Sequence, residues 1–101
     1  MREVYILGVG MTPFGTYLDK THDDLTATAV RSALADCGAA TESIGMAIYG
    51  SVVQPALSGN YVVPGQFALR KMGIATIPVL NVENACASSS SALSIAYDYV
   101  R

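Results

Sequence analysis

The chain has 101 residues, of which 51% are hydrophobic and 14% charged, with a formal net charge of −2. Six basic residues against eight acidic ones, with no basic cluster, leave no footprint for nucleic acid or an anionic membrane surface. No uninterrupted apolar run reaches the roughly 18–20 residues that span a bilayer, and so apolar a composition suits a piece whose faces cover, or are covered by, other protein.

In chain order, residues 4–10 form a near-continuous apolar run ended by glycines, which predicts a central strand covered on both faces. Gly8-Val9-Gly10 after that strand starts like a dinucleotide fingerprint, but Pro13 takes the third glycine position and no helix opens at once, so a phosphate cradle is set aside. Asp23 or Asp24 then caps a helix whose apolar positions Leu25, Ala29 and Leu34 lie near helical spacing and which Gly38 ends. Residues 44–49 predict a second strand and residues 50–59 an irregular stretch. Pro64 to Met72 predicts a short helix closed by Gly73. Residues 77–82 give a third strand, and a final helix runs from Ala85 through Leu93, Ile95, Ala96 and Tyr99. Strands alternating with helices predict an α/β layered domain with a mostly parallel sheet. The final helix is still in register at Arg101, without a C-capping glycine, which predicts that residues 1–101 are the first part of a larger domain.

Chemistry concentrates at the last strand-to-helix junction, Asn81-Val82-Glu83-Asn84-Ala85-Cys86-Ala87-Ser88. A cysteine in the first turn of a helix meets the positive end of the helix dipole and unpaired N–H groups, and both favour the nucleophilic thiolate. Its small neighbours admit a substrate carbonyl. Free cysteine also serves as a small buried hydrophobe, so the local residues leave nucleophile and packing both open for Cys86. Cys37 ends a helix beside Asp36, where dipole and carboxylate oppose a thiolate; it reads as structural. Glu83 is a candidate proton acceptor or a turn residue, Asn84 a turn former or N-cap, and His22 a solvated loop residue without a second ligand at metal spacing. Two cysteines make no disulfide framework, and the first residues lack the apolar core of a secretory signal, so a reducing, cytoplasmic location is expected.

Two stretches, Ile6-Leu7-Gly8-Val9-Gly10-Met11-Thr12-Pro13-Phe14-Gly15 and Val82-Glu83-Asn84-Ala85-Cys86-Ala87-Ser88, resemble the N-terminal part of the thiolase superfamily. The nearest likeness is to its acetyl-CoA acetyltransferase-like and sterol-carrier-protein-type members. Residues 47–52, Gly65-Gln66 and Ala68-Leu69-Arg70 resemble the family's second strand and the helix before the nucleophile strand. The resemblance implies a layered thiolase-like domain with a mostly parallel mixed sheet, of which this is the first quarter. It implies Cys86 as the residue acylated by an acyl-CoA, in thiolysis of a 3-ketoacyl-CoA or the reverse Claisen condensation. Coenzyme A and acyl-CoA are then substrates, with no bound cofactor and no metal. The family's catalytic histidines and second cysteine lie in its C-terminal half, so the isolated chain is expected to be inactive. A homodimer or tetramer, with residues 79–83 at the interface, or a complementary chain supplying that half, is the expected partnership. Ser89 departs from the glycine usual there and leaves open a ketoacyl-synthase-like enzyme; the lack of a candidate base beyond Glu83 and a distant His22 leaves open a non-catalytic interaction subunit.

Overall fold

A computed structural model describes all residues from Met1 to Arg101. Helix α1 (His22–Cys37) opens on Thr21, whose hydroxyl accepts from the Asp24 N–H at 3.2 Å while the Asp24 carboxylate accepts from the Thr21 N–H at 2.9 Å. This reciprocal box satisfies two donors that the first helical turn would otherwise leave free. Neither Asp23 nor Asp24 is the cap: Thr21 is, and Asp24 supplies the other half of the box. Gly38 ends α1 at φ 70°, the left-handed conformation glycine adopts without a steric cost.

A short 3-10 turn (Thr41–Ser43) leads into strand β1 (Ala47–Gly50), followed by helix α2 (Gln54–Ser58), helix α3 (Pro64–Arg70), strand β2 (Val79–Val82) and helix α4 (Ser88–Val100). β1 and β2 pair in parallel, with Ala47 opposite Val79 and Gly50 opposite Val82. The ladder is prolonged by Ala47 N–H to Pro78 O at 3.0 Å and Ser51 N–H to Val82 O at 3.2 Å. Crossing from one strand to the other through helices is what a parallel pair requires, so the α/β reading holds. The stretch read as irregular contains α2, which Pro55 starts and Gly59 stops in a left-handed cap.

The small core lies under α3, where Ala68, Leu69 and Ile74 are buried. Gln66 and Asn81 lash α3 to β2: Gln66 Nε2 donates to Val79 O at 3.0 Å, Asn81 Nδ2 donates to Gln66 Oε1 at 2.6 Å, and the Gly65 N–H donates to Asn81 Oδ1 at 2.7 Å. The contact needs glycine at 65, because a Cβ there would stand 2.6 Å from Tyr49 Cβ. Tyr49 in turn shares a 2.7 Å hydrogen bond with Thr26, which ties β1 to α1.

Residues 4–10 are not the central strand their pattern predicts. They form no ladder, and Tyr5, Ile6, Leu7 and Val9 are exposed. Their glycines instead approach α1: a Cβ on Gly8 would lie 2.3 Å from Ala33 O, and one on Gly10 would lie 2.1 Å from Ala29 O. The two glycines that begin the fingerprint-like stretch are thus helix-packing positions. The Val9 N–H donates to the Asp36 carboxylate at 3.0 Å, fixing the segment at the end of α1. The apolar pattern encodes covered faces, but the 101 residues do not supply the cover. The accessible surface is 7115 Å², against about 5,500 Å² for a self-contained chain of this mass. An open apolar groove of about 470 Å³ between Met46 and Ile48 on one side and Leu93, Ala96, Tyr99 and Val100 on the other is part of that excess.

Candidate active site at the β2–α4 turn

The final helix begins three residues later than its composition suggests. Ala85, Cys86 and Ala87 belong to the turn, Ala87 occupies the N-cap position, and Ser88 is the first helical residue. Cys86 therefore sits just ahead of α4 rather than in its first turn, with an exposed side chain. Its predecessor Ala85 has φ 47°, a left-handed conformation that costs an L-residue with a Cβ roughly 1–2 kcal/mol. Non-glycine residues hold such conformations where the surroundings over-determine them, and these cluster at functional sites.

The over-determination is visible in the hydrogen bonds. Glu83 Oε2 accepts from the Ala85 N–H at 2.7 Å, and Ser88 Oγ accepts from the Asn84 N–H at 2.9 Å while donating to Ala85 O at 2.8 Å. The Ala87 N–H donates to Asn84 O at 2.9 Å, and Asn84 Nδ2 reaches Ser91 Oγ at 3.0 Å. Two sequence-derived roles are resolved here. Glu83 spends its carboxylate on the turn, and Asn84 is no N-cap: its amide clamps the turn to the second turn of α4. Ser88, buried and bonded on both sides, went unnoticed in the sequence because one serine in a run of four carries no distinguishing local signal.

The other candidates lie elsewhere. Cys37 is also exposed, and its Sγ donates to Leu34 O at 3.6 Å, a weak bond within its own helix. His22 is not a solvated loop residue; it is the first residue of α1 and half-buried, with Gln54 Nε2 at 3.1 Å and 3.3 Å from its two ring nitrogens. Its Nε2 stands 2.8 Å from Asp23 Oδ1, close enough for an ion pair but out of line for a hydrogen bond, since Oδ1 has no hydrogen-bond partner. The other oxygen of Asp23 lies 2.6 Å from Lys71 Nζ, and this bond holds the Lys71 ammonium above its ordinary pKa. No hydrogen bond or ion pair links this cluster to Cys86, and no three His, Cys, Asp or Glu side chains converge as a metal site.

A parallel strand that passes through a strained turn into a helix, with an exposed thiol in the turn, defines an α/β protein that presents a cysteine at the end of a sheet. Residues 4–101 match the family described as thiolase, N-terminal domain, and the chain belongs to that family. It is 39% identical over 94 residues to non-specific lipid-transfer protein-like 2 of Caenorhabditis elegans, covering 90% of this chain and 21% of that protein. Sterol carrier protein 2 of Homo sapiens is 31% identical over 104 residues, covering 100% of this chain and 18% of that protein. The Gallus gallus sterol carrier protein 2 is 34% identical over 94 residues, covering 91% of this chain and 16% of that protein. The chain thus spans about a fifth of the length of these relatives.

Proposed function

We propose that Cys86 is the acyl-accepting nucleophile of an acyl-CoA acyltransferase that performs thiolysis of 3-ketoacyl-CoA, or the reverse Claisen condensation. The observation that carries this is Cys86 itself: an exposed thiol held by a strained, hydrogen-bonded turn at the end of β2, in a chain of the thiolase family. In the degradative direction the Cys86 thiolate adds to the C3 carbonyl, and the C2–C3 bond breaks. Its electron pair takes a proton at C2, and acetyl-CoA leaves. The sulfur keeps the acyl group as a thioester until a CoA thiol attacks it, forming the shortened acyl-CoA and freeing Cys86.

Each step also needs a proton acceptor and donors for the oxyanion. Glu83 and His22 are engaged in other contacts, so these groups come from outside residues 1–101, and the chain alone is inactive. The outer edge of β2, which pairs with no second strand although Gln66 Nε2 donates to Val79 O there, is the surface through which residues 79–83 would meet a second copy in a homodimer or tetramer; fast amide exchange of that strand in the assembled protein would speak against it. We assign the protein to cytoplasmic lipid metabolism, with coenzyme A and acyl-CoA as substrates and no resident cofactor.

A second reading, a non-catalytic thiolase-like subunit, draws support from the relatives, whose names speak of lipid transfer and sterol carriage. Assaying acyl transfer in the assembled Cys86→Ser protein separates the two. Loss of transfer supports the enzyme, and full retention supports the subunit.

A further inference from the structure

We infer that Ser88 is a positioning residue for Cys86, its hydroxyl holding Ala85 in the left-handed conformation that sets the direction of the thiol. This rests on the reading of Cys86 as acyl acceptor. Ser88 is 6% exposed, and its Oγ binds groups on either side of the strained residue. It accepts from the Asn84 N–H at 2.9 Å and donates to Ala85 O at 2.8 Å. The Ala85 carbonyl oxygen belongs to the peptide joining Ala85 to Cys86, so turning it turns Cys86. A hydroxyl has one proton to give and lone pairs to receive, and here both capacities are used on the same turn.

Ser88 is itself seated against the end of the sheet. A Cβ on Gly50 would lie 3.3 Å from both Ser88 C and Ser88 O, so the last residue of β1 rests on the Ser88 backbone. The direction of Cys86 is thereby referred to the sheet through Gly50, Ser88 and Ala85 in sequence. No side chain caps α4. The first serine of the run therefore serves the turn in front of the helix rather than the helix end.

The test uses the assembled protein and reads two quantities, the rate of Cys86 acylation by acyl-CoA in a single turnover and KM. Ser88→Ala is expected to slow acylation about tenfold, equivalent to about 1.4 kcal/mol, with KM within about twofold of its starting value. Glycine reaches positive φ without a steric cost, so the penalty of Ser88→Ala measured together with Ala85→Gly should shrink to about twofold. Ser88→Thr, which keeps the hydroxyl, should acylate faster than Ser88→Cys, a weaker donor of similar shape; this pair carries the test if Ser88→Ala does not fold. The inference is overturned if Ser88→Ala acylates at the starting rate, if its penalty is undiminished by Ala85→Gly, or if the threonine and cysteine variants acylate equally fast. Undiminished acyl transfer by Cys86→Ser would instead overturn the proposed function.

Discussion

Helix α1 opens on a threonine capping box with Asp23 and Asp24 in its first turn, whereas α4 opens on Ala87, with no side-chain cap and no acidic residue in its first turn. The same physics acts on both ends. Free N–H groups and the helix dipole favour negative charge at each N-terminus. In α1 the chain's own carboxylates answer that demand, and Asp24 responds with a pKa below its ordinary value of 3.8, chiefly through the backbone hydrogen bond with Thr21. In α4 no carboxylate caps the first turn; the nearest, Glu83, is spent on the Ala85 N–H of the preceding turn, and an exposed cysteine lies just ahead of the helix. One end is closed by its own side chains, while the other leaves the first turn of its helix uncapped beside an exposed thiol.

The largest effect expected from this contrast falls on the two exposed cysteines. Cys86→Ser should lower acyl transfer by the assembled protein at least about 10³-fold, as loss of a covalent nucleophile does. Cys37→Ser should leave it within about twofold; a comparable loss from both would erase the distinction between the two sites.

Giving α4 the kind of start that α1 has should then trade activity for stability. Ala87→Asp places a capping carboxylate beside Cys86. It should stabilise the helix by about 1 kcal/mol and slow acylation about tenfold, because a fixed negative charge opposes the charge developing on sulfur. Urea unfolding and single-turnover acylation measured on the same variant would show whether the two effects part; a gain in both would break the comparison.

The smallest effects belong to α1. Thr21→Ala should cost about 1 kcal/mol in urea unfolding and leave acylation unchanged. The sign of the accompanying pH dependence follows from the lowered Asp24 pKa. Its stabilising contribution is complete above the unfolded value near 3.8 and is lost as pH falls through the lower folded value. The acid limb of the unfolding midpoint against pH should therefore flatten in Asp24→Asn, and an unchanged limb would remove Asp24 from the account.

The sequence made the helix ends and the parallel order legible where the signal was local: Gly38, the Pro64 start of α3, and the strands around residues 47–50 and 79–82. The Thr21 box was also local, a threonine followed three residues later by an acid, but two adjacent aspartates drew the cap assignment to themselves. Residues 4–10 misled for a different reason. Their apolar run encodes burial on two faces, whereas a ladder requires a partner strand, and composition says nothing about where that partner lies. The site was legible as to residue but not as to geometry. Cys86 stood out among small neighbours, yet the left-handed φ of Ala85 and the paired bonds of Ser88 Oγ belong to backbone geometry within residues 83–88 that residue types alone do not display, and the close approach of Gly50 to the Ser88 backbone is a long-range contact. His22 was misplaced likewise, because Gln54, 32 positions along the chain, decides its surroundings.

The most direct test of the account is to expose the assembled protein to acyl-CoA, quench with acid, digest, and locate the acyl thioester by peptide mass spectrometry. The account predicts the acyl mass on the peptide containing Cys86 and none on the peptide containing Cys37. An acyl group on Cys37, or on neither cysteine while transfer proceeds at full rate, would contradict it.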